Sequence, residues 1–335
     1  MTRVLVTGAS GFIGRHLCRA LVERGDDVMA LVRPGSSRDE LSALGARFVE
    51  GDMMKPDSLR APVAEVDRVF HLAGMLKVPW RPSFRTVNVE GARNVAAACA
   101  AASSPPVLIV VSSLAAAGPS PDAEPRDESC PARPVSVYGQ VKLDTEAAAH
   151  AFADSVPVSI VRPPMVFGEG DRAMLPLFRQ AARGYALRVG PGDRRISLIH
   201  VADLAQALIA IAERGQRVMC GSDDLGSGVY FAASEERPTW TELSALMVNA
   251  TGRTKSREIA CPRALLWCAA AAAELYGRLM DRPVPLNLDK YREIVAGSWT
   301  CAVDKLGELT VETQSIADRL TSTARWYRER GWLDS

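Results

Sequence analysis

The sequence lacks the cysteine pattern of a disulfide-bonded or zinc-binding protein. Its seven cysteines are odd in number and scattered, and no two of them form a C-x-x-C pair. The four histidines, His16, His71, His150 and His200, also lie far apart along the chain. These spacings argue against a disulfide scaffold and against a metal site, and they favour reduced thiols. We therefore expect a cytoplasmic protein without a bound metal ion.

The chain also lacks a strong excess of charge and a long apolar run. Its net charge of +1 gives no electrostatic argument for nucleic acid or an acidic membrane as partner. Residues 1–8 lead directly into a strand-and-turn pattern, so we expect no signal peptide. The longest uncharged apolar stretch, residues 264–273, is about half of what a bilayer crossing needs, so we predict no transmembrane segment. It is predicted to be a helix on the core; a face for a membrane surface or a lipophilic substrate is the alternative.

Short β-branched segments alternate with Ala-rich segments through the first half of the chain. This alternation is the pattern of parallel βαβ units, and it predicts an α/β fold with a doubly wound, Rossmann-type parallel sheet. The predicted strands are residues 4–6, 28–32, 47–50, 66–71, 107–112 and 158–162, and the predicted helices are residues 15–24, 57–63, 86–102 and 136–152.

A glycine-rich turn follows the first predicted strand and opens a helix. Residues 7–14 read Thr-Gly-Ala-Ser-Gly-Phe-Ile-Gly. This spacing gives a tight turn, lets the backbone approach a pyrophosphate, and brings the helix close to the strand. The phosphates would meet free N–H groups at the positive end of the helix dipole. We therefore predict a dinucleotide site formed by Gly8, Ser10, Gly11, Phe12, Ile13 and Gly14.

The length and the rhythm of the chain indicate two units. We predict a dinucleotide-binding domain over residues 1–165, to which the chain returns near residues 196–215. Residues 166–335 are expected to form mainly a smaller α/β substrate-binding unit, because Gly and Pro interrupt the regular alternation there. A content of 47 % hydrophobic and 24 % charged residues is typical of a soluble globular protein.

The end of the second predicted strand carries Arg33. An acidic residue at this position would bind the ribose 2′-hydroxyl of NAD, whereas an arginine offers a cation for the 2′-phosphate of NADP. Ser36, Ser37 and Arg38 are possible helpers. We predict NADP(H) as the favoured cofactor. NAD(H) stays possible, because Arg33 could instead stack on the adenine.

The turn at residues 7–14 resembles that of the extended short-chain dehydrogenase/reductase superfamily, the NAD-dependent epimerases and dehydratases. The resemblance covers nearly the whole chain. It implies that Asp52 holds the adenine amino group, that the strand end at residues 71–74 passes under the cofactor, and that residues 163–166 border the nicotinamide carboxamide. The cofactor-binding residues implied in this way are Asp52, Met53, Leu72, Ala73, Gly74, Pro163 and Val166.

Tyr138 and Lys142 stand four residues apart on a predicted helix, which places both side chains on one face. A free tyrosine has a pKa of about 10. The Lys142 ammonium and the positive nicotinamide ring would lower the pKa of Tyr138 toward the working pH. We predict that Tyr138 moves the proton during hydride transfer and that Lys142 also binds the nicotinamide ribose.

A serine pair ends the buried strand at residues 107–112. In the resembling family, the catalytic hydroxyl is the second serine, five residues before a glycine. This implies Ser113, since Gly118 follows five residues later. Ser112 is the alternative, and its expected role is a hydrogen bond at the end of the strand.

Two features of the resembling nucleotide-sugar enzymes are absent. Those enzymes usually carry an Asn after the R-P dipeptide that holds the sugar diphosphate, and this chain has Pro164 and Met165 there. Sugar dehydratases also place an Asp-Glu pair just after the catalytic hydroxyl, where residues 114–116 are Leu-Ala-Ala. Both departures argue against a nucleotide sugar. The candidate pocket is mostly apolar and suits a hydrophobic ketone or alcohol: Met75, Leu76, Trp80, Leu114, Met165 and Met174.

The chain is similar to the branch that contains 3β-hydroxysteroid dehydrogenases and dihydroflavonol reductases. The leading hypothesis is an NADP(H)-dependent reductase of a hydrophobic ketone, or a dehydrogenase of the matching alcohol. One alternative is a nucleotide-sugar epimerase with tightly bound NAD. Another is a sensor or scaffold that binds NADP without catalysis. By analogy with the family, helices 86–102 and 136–152 could form the bundle of a homodimer.

Overall fold

The computed structural model describes residues 1–35, 39–75, 82–121, 124–189, 193–219 and 225–333. Within them, the strands are β1 (Arg3–Thr7), β2 (Asp27–Val32), β3 (Arg47–Glu50), β4 (Arg68–His71), β5 (Val107–Val111), β6 (Val158–Arg162), β7 (Met165–Phe167), β8 (Tyr185–Val189), β9 (Leu198–His200), β10 (Val229–Phe231) and β11 (Arg257–Cys261). The helices are α1 (Phe12–Glu23), α2 (Asp39–Ser42), α3 (Asp57–Ala64), α4 (Pro82–Ala100), α5 (Leu114–Ala117), α6 (Val137–His150), α7 (Leu175–Ala182), α8 (Val201–Arg214), α9 (Trp240–Ala250), α10 (Arg263–Leu279), α11 (Leu288–Val295), α12 (Asp304–Gly307) and α13 (Ile316–Glu329).

Seven strands form one parallel sheet in the order β10-β6-β5-β4-β1-β2-β3. This order confirms the predicted Rossmann-type fold. The chain changes direction across the sheet between β1 and β4, and their register sets Thr7 beside His71. Ligands of such sheets bind in the crevice at this switch point, outside the carboxyl ends of the strands.

The strands of the sheet are apolar because both faces are covered by helices. Val4 and Val6 face one core, which α1 and α8 complete with Leu17 and Leu208. Leu5 faces the opposite core, to which α3 and α4 contribute. Successive side chains of a strand point to opposite faces of the sheet. Since both faces are covered, the three central residues of β1, Val4, Leu5 and Val6, are all apolar.

Two elements beyond residue 165 belong to this layered structure. Helix α8 covers one face of the sheet, and β10 forms its outer edge beside β6. A separate apolar core is formed by α7, α9 and α13, with Phe178, Leu243 and Tyr327 at its centre. The division of the chain at residue 165 stays a prediction.

The apolar stretch at residues 264–273 lies in α10. The helix buries only a narrow stripe, made of Leu266, Ala270, Glu274 and Gly277, and most of its remaining side chains are exposed. The expected packing on a core therefore accounts for one side of the helix alone. None of the described helices combines the length and the apolar character needed to cross a bilayer.

A buried ion pair fixes α6 to the sheet. The guanidinium of Arg162 at the end of β6 donates to both carboxylate oxygens of Glu146, over 2.9 and 2.6 Å. Both side chains are less than a tenth exposed. Ser112 donates a short hydrogen bond to the same carboxylate. A pair of charges held away from water tolerates little displacement, because a separated partner would remain buried and unpaired.

Replacing Arg162 by methionine should therefore lower the free energy of unfolding by about 3–5 kcal/mol, because Glu146 would remain buried without its partner. The matched control is Arg3→Met, which removes an exposed ion pair with Asp67 and should cost about 0–1 kcal/mol. Urea denaturation of both variants measures the difference. Equal losses in the two variants would contradict the importance of the buried pair.

Candidate active site

The glycine turn between β1 and α1 leaves no room for side chains. Gly8 has a φ of 72°, and a Cβ atom there would lie 2.7 Å from the Ala73 nitrogen. A Cβ on Gly14 would collide with the carbonyl oxygen of Gly8. Gly11 is the N-cap of α1, and together with Ser10 it is open to solvent. The amides of the first helical turn, Phe12 and Ile13 among them, have no acceptor within the helix and thus suit a pyrophosphate.

A threonine–histidine pair lies under this turn. The Thr7 hydroxyl shares a hydrogen bond of 2.8 Å with Nδ1 of His71, and it accepts another from the Ala73 amide at 3.3 Å. Burial lowers the pKa of His71 to about 3, so its ring is neutral. The sequence analysis noted His71 but not this pairing, which depends on the register of β1 and β4.

The structure brings the other predicted cofactor residues to the same edge of the sheet. Each of them follows the carboxyl end of a strand: Arg33 after β2, Asp52 and Met53 after β3, Leu72, Ala73 and Gly74 after β4, Pro163 after β6, with Val166 in β7. Arg33 is exposed. One Asp52 oxygen accepts from the Met54 amide at 2.9 Å. Ser36, Ser37 and Arg38 lie outside the described residues.

Ser113, Tyr138 and Lys142 meet at the end of β5. Ser113 is the N-cap of α5, accepts from the Ala115 amide at 3.2 Å, and its hydroxyl is hydrogen-bonded to the Tyr138 phenol. The Lys142 ammonium donates to the Val111 carbonyl at 3.1 Å. The end of β5 provides Ser113, and successive turns of α6 provide Tyr138 and Lys142, so the fold brings the three predicted residues together.

Burial dominates the electrostatics of the pair on α6. It raises the pKa of Tyr138 to about 12, against the effect of the Ser113 hydrogen bond. It lowers the pKa of Lys142 to about 8, although the nearby Glu146 carboxylate opposes this. The sequence suggested that Lys142 lowers the pKa of Tyr138. In the structure the opposite holds, because the dry site penalises the phenolate and the ammonium points at a carbonyl. The phenol is thus protonated at neutral pH and can donate a proton.

The two serines at the end of β5 differ in their surroundings. Ser112 is buried and donates to the Glu146–Arg162 pair. Ser113 is less buried and faces Tyr138. Only Ser113 is therefore in contact with the phenol.

Helix α11 holds the N-terminal end of α6. The Asp289 carboxylate accepts from the amides of Val137 and Tyr138, at 2.7 and 3.0 Å. Glu293 accepts from the Ser136 hydroxyl at 2.7 Å. These two carboxylates sit at the positive end of the α6 dipole, where negative charge is stabilising. The sequence analysis missed both residues; their i, i+4 spacing is visible in the sequence, but nothing local indicates which helix they contact.

The predicted pocket residues fall into three apolar clusters. Met75 packs on the cluster that Tyr138 also touches. Leu114 belongs to a second cluster beneath α5. Met165 and Met174 belong to the core of α7, α9 and α13, and Met174 is fully buried there. Leu76 and Trp80 lie outside the described residues.

A glycine turn at the switch point of the sheet, with a serine at the end of β5 and a tyrosine and a lysine on α6, is typical of a nicotinamide-dependent oxidoreductase of the extended short-chain type. The chain belongs to the NAD dependent epimerase/dehydratase family, whose model matches residues 4–222. The family resemblance expected from the turn is thereby confirmed.

Named relatives include reductases. The chain is 33 % identical to a ceramide reductase of Caulobacter vibrioides over 98 % of this chain and 96 % of the relative. It is 30 % identical to the 4-hydroxy-2-methyl-3-oxo-4-farnesyl-3,4-dihydroquinoline-1-oxide ketoreductase of Stigmatella aurantiaca, over 87 % and 90 % of the two chains. The crystal structure of gox2253 superposes with a TM-score of 0.79 at 25 % identity, over the whole of both chains.

The low pKa of Lys142 predicts a pH dependence of cofactor binding. The ammonium is charged below about pH 8 and loses its proton above it. If it binds the nicotinamide ribose, kcat/KM for the cofactor should fall as pH rises through about 8, since this ratio reports ionisations of the free enzyme. The variant Lys142→Met should lack this decline. A decline of the same size in that variant would assign it to another group.

Proposed function

We propose that the protein reduces a hydrophobic ketone to a secondary alcohol with NADPH, through Ser113, Tyr138 and Lys142. The observation that carries the proposal is the Tyr138 phenol hydrogen-bonded to the Ser113 hydroxyl, with buried Lys142 one turn further along the same helix. A group of this kind is a proton donor at neutral pH, which is what a carbonyl oxygen requires when its carbon is reduced.

The bound cofactor supplies the hydride for the carbonyl carbon. Tyr138 gives its proton to the carbonyl oxygen, so the C=O bond becomes CH–OH. Ser113 donates a hydrogen bond to the same oxygen while negative charge develops on it, and this lowers the barrier most where water is excluded. Lys142, one helical turn after Tyr138 and hydrogen-bonded to the Val111 carbonyl, would bind the nicotinamide ribose. The proton is then replaced from solvent.

The substrate side of the proposal rests on three observations. Leu114 follows Ser113 directly and is apolar, and Met75 packs beside Tyr138. Residues 164 and 165 are Pro and Met, which have no amide to hold a sugar diphosphate. Two relatives are named as reductases of lipophilic molecules, a ceramide and a farnesyl-substituted quinoline oxide. A ketone with a long hydrocarbon tail fits all three.

Replacing Tyr138 by phenylalanine should reduce kcat by about 10²–10⁴-fold, because the proton donor is lost while the ring remains. The dissociation constant of NADPH should stay within about twofold. NADPH depletion over a panel of long-chain ketones measures the first, and fluorescence titration the second. Tyr185→Phe, at an exposed tyrosine of β8, is the matched control. Retention of normal turnover by the Tyr138 variant would refute the assignment.

The NADPH preference rests on Arg33, an exposed cation at the end of β2. Arg33→Ala should weaken NADPH binding by about tenfold or more, the value of a charge-assisted hydrogen bond to the 2′-phosphate, and leave NADH binding unchanged. The control is Arg3→Ala. Arg3 lies at the amino end of β1, whereas Arg33 follows the carboxyl end of the parallel strand β2. Titration of both variants with both cofactors gives the ratio. An equal loss for NADH would indicate stacking on the adenine instead.

A further inference from the structure

The outer side of α10 is an exposed apolar surface. Solvent-exposed apolar residues recur every three or four positions along the helix. Leu279, at its C-terminal end, is 76 % exposed. Trp267 flanks them and is half exposed. No charged residue stands between Arg263 and Arg278 except Glu274, which points inward. We call this surface the α10 face; its members are Leu265, Cys268, Ala269, Ala272, Leu275, Tyr276 and Leu279.

One helix separates the α10 face from Tyr138. On its inner side, Glu274 accepts a hydrogen bond of 3.0 Å from the Leu288 amide, at the start of α11. The next residue, Asp289, accepts from the Tyr138 amide. The α10 face therefore lies on the outside of the same two-helix unit that seats the N-terminal end of α6.

Ion pairs around this unit are asymmetric. In the pairs Arg278–Glu274, Lys290–Glu293 and Arg292–Asp289, the cationic side chains are 55 to 61 % exposed and the carboxylates only 8 to 12 %. The acids are directed toward α6 and α11, and the cations toward solvent. The solvent-exposed members of these three pairs are therefore all cations, although the net charge of the whole chain is only +1.

We propose that the α10 face docks on the surface of an anionic lipid bilayer, with its leucines and Tyr276 at the level of the headgroups. An apolar helical face with aromatic residues and flanking cations has the properties of an interfacial helix. Basic side chains near such a face attract anionic lipids. Contact with a second copy through a two-fold axis would bring these cations together, since both subunits present the same patch.

This inference rests on the proposed function, which it deepens. A ketone with a long hydrocarbon tail resides in membranes. Docking through α10 places the enzyme where its substrate is concentrated, with α10 and α11 between the lipid surface and α6. The face does not contact cofactor or reacting atoms, so its role is to bring the enzyme to the membrane.

The test is flotation of the NADPH-loaded protein with vesicles. We expect it to float with phosphatidylglycerol–phosphatidylcholine vesicles at low salt, and to float less with phosphatidylcholine alone or at high salt. The double variant Leu275→Ser, Leu279→Ser should bind about 100-fold more weakly, from about tenfold for each buried leucine. The matched control, Met219→Ser with Leu225→Ser, changes two other apolar residues that are more than half exposed and should float normally.

Two outcomes would overturn the proposal: protein that stays at the bottom with both kinds of vesicle, or a dimer that the leucine variants dissociate without any change in flotation. Reduction of a short, water-soluble ketone by the same variants, followed as NADPH consumption without vesicles, tests the proposed reductase independently. Normal flotation without ketone reduction would reject the reductase. Normal reduction by the unsubstituted protein, together with its failure to float, would reject the membrane surface alone.

Discussion

The ion pair between Glu146 and Arg162 is the interaction on which the rest of the site depends. Both charges are buried. If the pair separated, each charge would remain in the interior without a partner and without water, which costs free energy. Helix α6 thus has one position on the sheet. Lys142 and Tyr138 lie one and two turns before Glu146 on this helix, and their distance from the end of β5 is set by the same contact. Asp289 fixes the other end of the helix.

Exclusion of water gives the site its chemical character. The interior that holds the Glu146–Arg162 pair away from water also holds Tyr138 and Lys142, and their burial raises the pKa of Tyr138 and lowers that of Lys142. A tyrosine in contact with a solvated lysine would tend toward the phenolate, whereas this one is a neutral donor. A neutral phenol is the form that can donate a proton to a carbonyl oxygen.

The C-terminal part of the chain connects the site to the molecular surface. Helix α11 directs its carboxylates at α6 and its cations at solvent. Helix α10 packs on α11 through a narrow stripe and exposes an apolar face. One two-helix unit therefore both orients the proposed proton donor and presents a basic, apolar surface. A net charge averaged over the chain does not reveal this separation of charge.

The sequence by itself determined what depends on short spacing. The glycine turn, the alternation of strands and helices, and the spacing of Tyr138 and Lys142 are local patterns, and the fold they predict is the one observed, with element ends shifted by a few residues. The tertiary structure decided which residues meet across the chain: Asp289 at the start of α6, β10 at the edge of the sheet, and the distribution of the apolar pocket candidates among separate clusters. It also reversed the expected pKa shift of Tyr138. Such contacts and burial arise from the packing of segments as much as 152 residues apart, and no local spacing encodes them.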